Sequence, residues 1–108
     1  MQCRGQVDGA IAMGLGWALT ENMVYDGGIM VNPTLRNYRI PAFADVPPSE
    51  VFFADTYDKI GPLGAKSQDE CAIVAPAIAN ALADAMGVRF AHLPFTPDRI
   101  FSKLSDQP

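Results

Sequence analysis

Apolar and small residues near the start of the chain recur at the spacing of an α-helix. The stripe runs from about Gln6 to Met23 and is defined by Val7, Ile11, Gly14 and Trp17. Three glycines in this stretch, Gly9, Gly14 and Gly16, each lower the helix propensity by about 1 kcal/mol relative to alanine. A helix that contains them is expected to have another segment or a ligand packed closely against its backbone.

A second helix is predicted between Glu70 and Met86, again from the spacing of its apolar side chains. Its stripe consists of Ile73, Val74, Ala77, Ile78, Ala81, Leu82 and Ala85. Pro76 lies early in this stretch, which indicates either a kink or a later start of the helix. Gly87 stands where a helix of this length is expected to end.

Strand patterns lie between the two helices. Asp26-Gly27-Gly28 separates two short strand-forming runs and predicts a hairpin, because aspartate and glycine tolerate the positive φ angles of a tight turn. The run from Val51 to Tyr57 is rich in β-branched and aromatic residues and predicts a strand. A short extended piece is expected at residues 38–40 and a possible short strand at 88–90.

A last helix is predicted to follow Thr96. Thr96 would cap it, Pro97 would occupy its first position, and three apolar side chains, Ile100, Phe101 and Leu104, would face inward. We therefore expect an α+β fold, in which a small antiparallel sheet accompanies two main helices and a short C-terminal helix.

The composition does not change the predicted fold, but it excludes several classes of protein. The chain has 108 residues, of which 49% are hydrophobic, so it is long enough for one domain with a modest core. Its net charge is −4, and the sequence lacks the cluster of basic residues that a nucleic-acid-binding protein needs. The longest apolar stretch, residues 9–19, is too short to cross a bilayer, and the start lacks a signal-peptide pattern. A cytoplasmic protein without nucleic-acid or membrane partners is the expectation.

Metal ligation by the side chains is not indicated. Cys3, Cys71 and His92 lie far apart in the sequence and form no cluster with the spacing of metal ligands. The glycine-rich run from Gly61 to Ser67 resembles a phosphate-binding loop, but it lacks the glycine that should precede Lys66.

Glu70 has two readings that the neighbouring residues leave open. Ser67-Gln68-Asp69-Glu70 fits a capping box, in which Ser67 caps the second helix and Glu70 reaches back to it. Alternatively, Glu70 is a carboxylate at a helix start, kept ionised by the helix dipole and available as a general base. Gly61 and Gly64 favour the second reading, since glycines before a helix allow backbone N–H groups to approach a ligand.

A set of short motifs in fixed order carries a family resemblance. In the first part of the chain these are Gly5-Gln6-Val7-Asp8-Gly9-Ala10, Gly14-Leu15-Gly16, Ala18-Leu19-Thr20-Glu21, Asn32-Pro33-Thr34-Leu35 and Tyr38-Arg39-Ile40-Pro41. In the second part they are Gly61-Pro62-Leu63-Gly64-Ala65-Lys66-Ser67, Glu70, Pro76-Ala77-Ile78-Ala79-Asn80-Ala81 and Leu93-Pro94-Phe95-Thr96-Pro97. Together they resemble the C-terminal part of the molybdopterin-binding large subunit of the xanthine dehydrogenase/aldehyde oxidase family.

The resemblance implies a molybdenum hydroxylase acting on aldehydes or N-heterocycles. In that family a glutamate after the Gly-Ala-Lys loop deprotonates a hydroxyl group on molybdenum, and the resulting oxygen attacks an electrophilic carbon. Glu70 matches this catalytic base by position. Gln6 matches a glutamine that contacts the molybdopterin cofactor, and the backbone around Gly64, Ala65, Lys66, Ser67 and Gln68 would border it. The metal would carry the chemistry, while the protein supplies a placed base and backbone donors.

The sequence also departs from the family pattern. Asp69 stands where many members have glycine, which places a second negative charge beside Glu70, and Cys71 replaces a frequent proline or serine. The stretch between Glu70 and Pro76 is shorter than in related sequences, so the geometry of the catalytic loop is expected to differ.

Length is the larger departure, because the family's subunit is several times longer. Residues 1–108 are therefore interpreted as a single C-terminal molybdopterin-binding subdomain of a longer subunit, inactive by itself. Its expected partners are the remainder of that subunit, FAD and iron–sulfur subunits or domains, and a second copy. The isolated chain is expected to bind no molybdenum cofactor. The alternative is a degenerate domain that serves only as a structural or oligomerisation module.

Overall fold

The computed structural model of the chain describes residues 2–68 and 73–106. Three α-helices carry most of the regular structure: α1 at Gln2–Leu19, α2 at Val74–Met86 and α3 at Pro97–Ser105. Between α1 and α2 lie two short strands, β1 at Tyr25–Asp26 and β2 at Ile29–Met30, and two single turns of 3₁₀-helix at Phe43–Asp45 and Pro62–Gly64. The predicted α+β class, with a small antiparallel sheet, two main helices and a short last helix, is confirmed.

Helices α1 and α2 pack directly against each other, and Gly14 lies at their contact. A Cβ atom added at Gly14 would lie 2.5 Å from the Cβ of Val74, so the two backbones approach more closely than any larger residue allows. A Cβ at Gly16 would meet the Glu21 side chain and Pro41. The expectation of close packing is thus confirmed for these two glycines, whereas a Cβ at Gly9 would meet nothing within 4 Å.

The predicted hairpin forms at the predicted turn. Tyr25 pairs with Met30 and Asp26 with Ile29, while Gly27 and Gly28 adopt φ angles of 54° and 83°. The buried side chain of Asn32 closes the hairpin base: its Oδ1 accepts a hydrogen bond from the Val24 amide at 2.9 Å, and its Nδ2 donates to the Asn22 carbonyl at 2.6 Å. A single side chain therefore ties both ends of the hairpin together.

Helix α2 starts later than the hydrophobic pattern alone indicates. It begins at Val74, so Pro76 falls within its first turn, where a missing N–H costs no hydrogen bond. The late start was one of the two outcomes predicted from Pro76. Gly87 ends the helix at a φ of 70°, with its amide bonded to the Ala83 carbonyl at 2.9 Å, as predicted.

The start of α2 at Val74 also corrects the capping-box reading of Ser67. Ser67 and Gln68 are not helical, and Ile73 occupies the cap position of α2. The run from Ser67 to Glu70 predicted a cap because its residue types fit that role locally. Val74, the first residue of α2, packs against Gly14 of α1.

The strand predicted at residues 51–57 does not form within the described part of the chain, whose sheet contains only β1 and β2. Residues 38–40 and 88–90 also form no strand there. Residues 51–57 have a high strand propensity, but a strand also needs a neighbouring strand for its backbone hydrogen bonds. No described segment forms backbone hydrogen bonds with residues 51–57.

The last helix is held by polar contacts more than by its apolar side chains. Phe101 is 72% exposed and Leu104 is 38% exposed, so the predicted inward orientation is wrong for Phe101. Thr96 occupies the cap position, but its side chain makes no capping bond to the backbone. Instead, the Arg99 guanidinium donates to the carbonyls of Leu93 and Pro94.

The segment before α3 packs against the C-terminal end of α1. The Phe95 amide donates to the Ala18 carbonyl at 2.6 Å, and the Phe95 ring meets Phe90 edge to face at 6.0 Å between centroids. Ala18, Val88 and Phe95 are the buried apolar residues of the described chain, and none of its large side chains is fully buried. Trp17 on α1 remains 44% exposed. No described helix is long and apolar enough to cross a membrane.

Candidate functional site

The sequence-predicted site residues fall in two places. Gln6 lies on the exposed N-terminal half of α1, and the other group, Gly64, Ala65, Lys66, Ser67 and Gln68, lies in the loop that precedes α2. Glu70, the predicted catalytic base, and its neighbours Asp69 and Cys71 lie outside the described residues. Within the described chain, no hydrogen bond or ion pair joins Gln6 to the loop.

The loop before α2 is a tight reversal built around two left-handed residues. Leu63 adopts φ 54° and ψ 26°, and Gly64 follows with φ 78°. The Gly64 amide donates to the Gly61 carbonyl at 3.0 Å, and the Ala65 amide donates to the Pro62 carbonyl at 3.0 Å. A left-handed conformation at Leu63 is uncommon for a residue with a Cβ, and such strain occurs mainly where the surrounding structure fixes the chain.

Gly61 and Gly64 are required by sterics as well as by backbone angles. A Cβ at Gly61 would lie 2.0 Å from the carbonyl oxygen of Ala65, which is backbone and cannot move aside. A Cβ at Gly64 would lie 2.2 Å from the aromatic ring of Tyr57. Both glycines singled out in the sequence therefore let the two sides of this loop approach each other.

Asp58 organises the start of the loop, although it is not among the site residues predicted from the sequence. Its Oδ1 accepts hydrogen bonds from the amides of Ile60 at 2.8 Å and Gly61 at 3.3 Å, and its own amide donates to the Gly64 carbonyl at 3.2 Å. An aspartate whose side chain accepts from the amides two and three residues further along is typical of such a side-chain turn. That signal was available in the sequence.

Lys66 closes the loop on its other side. Its Nζ donates to the Thr56 Oγ1 at 2.9 Å, and both side chains are exposed. The lysine is thus partly engaged and still reachable by an anion from solvent. Residues 56–66 form a closed unit, which we call the cofactor loop together with residues 67–68.

The exposed end of the cofactor loop presents the donors that a molybdopterin would need. Ala65, Lys66, Ser67 and Gln68 are all exposed. The Ser67 hydroxyl and the Lys66 ammonium lie on this exposed stretch, whereas the Ala65 amide is used in its bond to the Pro62 carbonyl. Amide, hydroxyl and ammonium donors suit the phosphate and pterin oxygens of such a cofactor. The donor set therefore fits the cofactor along one edge. In the described chain, no group of three or more His, Cys, Asp or Glu side chains could hold a metal ion directly.

The exposed half of α1 borders a second concave surface. An open groove of about 710 Å³ lies between α1 and residues 41–49. On α1, Asp8 forms an ion pair with Arg4 at 3.8 Å and accepts a hydrogen bond from the Ser49 hydroxyl at 2.6 Å. Asp8 therefore anchors the segment that leads from Ser49 towards the cofactor loop, a contact across 41 residues that the sequence could not reveal.

A second polar contact fixes the segment after the hairpin. The Tyr38 hydroxyl donates to the Glu21 carboxylate. This hydrogen bond, together with partial burial and the negative charge of Glu21, raises the pKa of Tyr38 above its ordinary value. The Glu21 side chain also packs over Gly16, so the glycine leaves room for the bond.

Comparison with known proteins identifies relatives of this chain. Residues 1–47 match the model of a molybdopterin cofactor-binding domain. The chain is 42% identical over 108 residues to the aldehyde oxidoreductase molybdenum-binding subunit of Escherichia coli, covering 95% of this chain and 15% of the relative. It is 41% identical over 103 residues to the putative xanthine dehydrogenase molybdenum-binding subunit of Escherichia coli, covering 92% of this chain and 14% of the relative.

The fold also agrees with a solved structure. Quinoline 2-oxidoreductase from Pseudomonas putida 86 superposes with a TM-score of 0.82 at 36% identity, covering 97% of this chain and 14% of that chain. The 6-hydroxypseudooxynicotine dehydrogenase complex subunit gamma of Paenarthrobacter nicotinovorans is 37% identical over 106 residues, 13% of its length. The chain thus spans about one seventh of the length of the proteins that it matches.

Proposed function

The chain belongs to the molybdenum hydroxylase family as part of its molybdenum-binding large subunit, and on that premise we propose that it contributes to the active site of an enzyme that hydroxylates aldehydes or N-heterocycles. The observation that supports this most directly is the cofactor loop. Its left-handed Leu63–Gly64 turn and its exposed donors at 65–68 lie in the segment that carries the family's Gly-Ala-Lys motif.

Two groups of residues would hold the molybdopterin cofactor. The Gln6 carboxamide would donate from α1, and the backbone of Gly64, Ala65, Lys66, Ser67 and Gln68 would border the cofactor on the side of the loop. When bound, the cofactor supplies the redox chemistry of the hydroxylation. The loop's own task is to place donors with little reorganisation, since its turn is already closed by the Asp58 carboxylate and by the bond between Lys66 and Thr56.

Glu70 would act as the general base of the reaction. It follows the cofactor loop directly, and its carboxylate would accept the proton released as the hydroxylating oxygen becomes nucleophilic. Ser67 lies outside α2, whose cap position is Ile73, so Ser67 does not cap the first turn of that helix.

The remainder of the subunit and further subunits would complete the enzyme. Relatives of this chain are described as molybdenum-binding subunits, and one as a subunit of a dehydrogenase complex. Electrons from the hydroxylation must leave the molybdenum site, so we propose FAD and iron–sulfur subunits or domains as the partners that receive them. The chain alone would then be one wall of a pocket and inactive.

The test is the substitution Glu70→Gln in the complete subunit. Glutamine preserves the side-chain volume and removes the basicity, so turnover should fall by about 10²- to 10⁴-fold, the usual contribution of a general base. The melting temperature and the molybdenum content should stay at the parent values. The measurements are steady-state turnover of an aldehyde and of an N-heterocycle, thermal unfolding, and molybdenum analysis of the same preparations.

Glu50→Gln is the matched control, because Glu50 is exposed and the same chemical change there should leave turnover unaltered. Near-normal turnover of Glu70→Gln would show that Glu70 is not the base. Ser67→Ala tests the hypothesis that Ser67 caps α2. Loss of a capping serine would lower the stability of the protein by about 1 kcal/mol, whereas the observed start of α2 predicts no such loss.

A further inference from the structure

The turn at Leu63 and Gly64 is strained, and apolar packing of its own side chains does not hold it. Leu63 adopts φ 54° and ψ 26°, a left-handed conformation that costs free energy for a residue with a Cβ. Its side chain is 100% exposed, and that of Ile60, on the other arm of the turn, is 95% exposed. Neither side chain packs against a neighbour that would compensate for the strain, so other contacts in the loop must do so.

Asp58 makes three hydrogen bonds that join both arms of this turn. Its Oδ1 accepts from the amides of Ile60 at 2.8 Å and Gly61 at 3.3 Å, on the arm by which the chain enters. Its own amide donates to the Gly64 carbonyl at 3.2 Å, on the arm by which the chain leaves. Asp58 is partly buried, so water competes less for its bonds than it does at the tip of the turn.

Gly61 connects the bonds of Asp58 to the strain at Leu63. The Gly61 amide is held by the Asp58 carboxylate, and the Gly61 carbonyl accepts from the Gly64 amide at 3.0 Å. Leu63 lies inside the ring of chain that these contacts close. Loss of the carboxylate would release Gly61, and Leu63 would then return to a conformation of lower energy.

We propose that Asp58 is a positioning residue of the cofactor site: its carboxylate keeps Leu63 in the left-handed conformation and thereby keeps residues 65–68 in the orientation that receives the cofactor. This inference rests on the proposed function, since that function supplies the cofactor. Asp58 acts through the backbone of the loop. A loop that is already closed needs less ordering when the cofactor binds, so the cofactor is held more tightly.

The hydrogen bond between Lys66 and Thr56 is the competing explanation for the closed loop. It joins two exposed side chains at 2.9 Å. Water competes for both of these groups, and a lysine loses much side-chain freedom when it is held in one geometry. The Asp58 carboxylate instead bonds to backbone amides of the turn itself, and bonds to a charged group are the stronger kind. Asp58 is therefore assigned the main part in closing the loop.

Amide exchange in the complete subunit, before cofactor is added, tests this assignment. The Gly64 and Ala65 amides are bonded to the carbonyls of Gly61 and Pro62, so they exchange only when the turn opens. Asp58→Ala should speed their exchange by at least about 5-fold, the factor expected for the loss of one hydrogen bond of ordinary strength. Exchange at the parent rate would show that the carboxylate does not hold the turn and would overturn the proposal.

Asp58→Asn separates positioning from charge. Asparagine keeps a side-chain oxygen that accepts the same two amide bonds, so the exchange of Gly64 and Ala65 should stay within about 2-fold of the parent rate. Exchange of Asp58→Asn as fast as that of Asp58→Ala would assign the effect to the negative charge and would overturn the proposal.

Two double variants test whether the strain at Leu63 is what Asp58 compensates. Asp58→Ala/Leu63→Gly should return the exchange towards the parent rate, because glycine adopts left-handed φ angles without strain. Asp58→Ala/Leu63→Ala should not, because alanine keeps the Cβ. Equal exchange in the two double variants would show that Asp58 does not act on the conformation of Leu63, which contradicts the proposal.

Retention of molybdenum measures the consequence for the cofactor. Complete subunits loaded with cofactor are held below their melting temperature, and molybdenum per subunit is followed over time. Asp58→Ala should lose molybdenum faster than the parent by a factor similar to that of its amide exchange, since both processes need the loop to open. Asp55→Ala is the matched control: Asp55 is exposed and precedes the loop, so its removal should leave the rate of loss unchanged. Equal retention in Asp58→Ala and the parent would overturn the positioning role.

The outcomes separate this inference from the proposed function. Loss of turnover in Glu70→Gln, together with parent-like retention of molybdenum in Asp58→Ala, would support the base and refute the positioning role. Faster loss of molybdenum from Asp58→Ala, with undiminished turnover of Glu70→Gln, would support the positioning role and refute the base. A parent subunit that takes up no molybdenum would refute both.

Discussion

Two glycines of the same helix occupy opposite environments, and the difference decides what each can tolerate. Gly14 faces Val74 of α2 at a distance that leaves no room for a Cβ, while a Cβ at Gly9 would point into open space. Both cost the helix the same intrinsic propensity. The sequence could reveal that cost for each glycine, but it could not show which of them is offset by a packing contact.

Substitution by alanine should therefore have opposite effects at the two sites. Gly14→Ala forces α1 and α2 apart and should destabilise the chain by about 1–3 kcal/mol, the usual cost of overpacking. Gly9→Ala should stabilise it by up to about 1 kcal/mol through helix propensity alone. Thermal unfolding followed by circular dichroism measures both changes. The double variant Gly14→Ala/Val74→Gly, which removes the Cβ that the new alanine would meet, should recover part of the loss, and a failure to do so would place the clash elsewhere.

At the scale of elements, α3 shows how a short helix is held by its first turn. The Thr96 hydroxyl donates to the Asp98 carboxylate, and this bond lowers the pKa of Asp98 below its ordinary value. Burial opposes this lowering of the pKa, while the backbone amides of Asp98 and Arg99 and the charge of Arg99 add to it. The ionised carboxylate is thus the form that the folded helix start favours.

The stability of α3 should consequently depend on acid. A carboxyl group with a lowered pKa in the folded state contributes stability above its ordinary pKa, and this contribution disappears as the pH falls through the lowered value. Asp98→Asn should remove that acid-dependent part of the helix stability, whereas Asp106→Asn at the other end should leave it in place. Amide exchange of residues 100–105 from neutral to strongly acidic pH measures the difference. An identical acid response of both variants would exclude Asp98 as its source.

Elements that depend on local chemistry could be predicted, and those that depend on a neighbour could not. The Asp26-Gly27-Gly28 hairpin and the stop at Gly87 follow from backbone angles that few other residues adopt. The first residue of α2, Val74, packs against Gly14, which is far from it in the sequence. The run at 51–57 has the residues of a strand and lacks a described neighbour to pair with, so propensity alone gave the wrong state.

The candidate site divides in the same way. The glycines at 61 and 64 could be identified because a loop that reverses so tightly needs them. Gln6 and the loop residues 64–68 were assigned by resemblance, and the exposure of Gln6 and of residues 65–68 agrees with a role towards a ligand. The anchoring of Ser49 by Asp8 arises only when α1 and the proline-rich segment lie side by side.

At the scale of the whole molecule, the chain is much more extended than a self-sufficient domain. Its radius of gyration is 17.6 Å, compared with about 13 Å for a compact domain of this length. Its described core has three buried apolar residues, and aromatic side chains such as Phe43, at 98% exposure, lie in solvent. Surface of this kind is normally covered by other protein.

The isolated chain is therefore expected to self-associate and to bind no molybdenum cofactor. Size-exclusion chromatography with light scattering should give a mass that rises with concentration, because exposed apolar side chains associate without a specific partner. Metal analysis and absorbance should show no molybdenum, since under the proposed function the chain supplies only one wall of the pocket. A stable monomer at all concentrations would contradict the first expectation, and stoichiometric molybdenum would contradict the second.

The exposure of Trp17 gives the molecule an internal optical reporter. It is the sole tryptophan of the chain, and it lies on α1 with 44% of its surface in water. Indole fluorescence shifts to shorter wavelength when the ring leaves water. When another protein segment covers α1, the emission wavelength of Trp17 should therefore shift, and the rate of that shift gives the rate of covering without an added label.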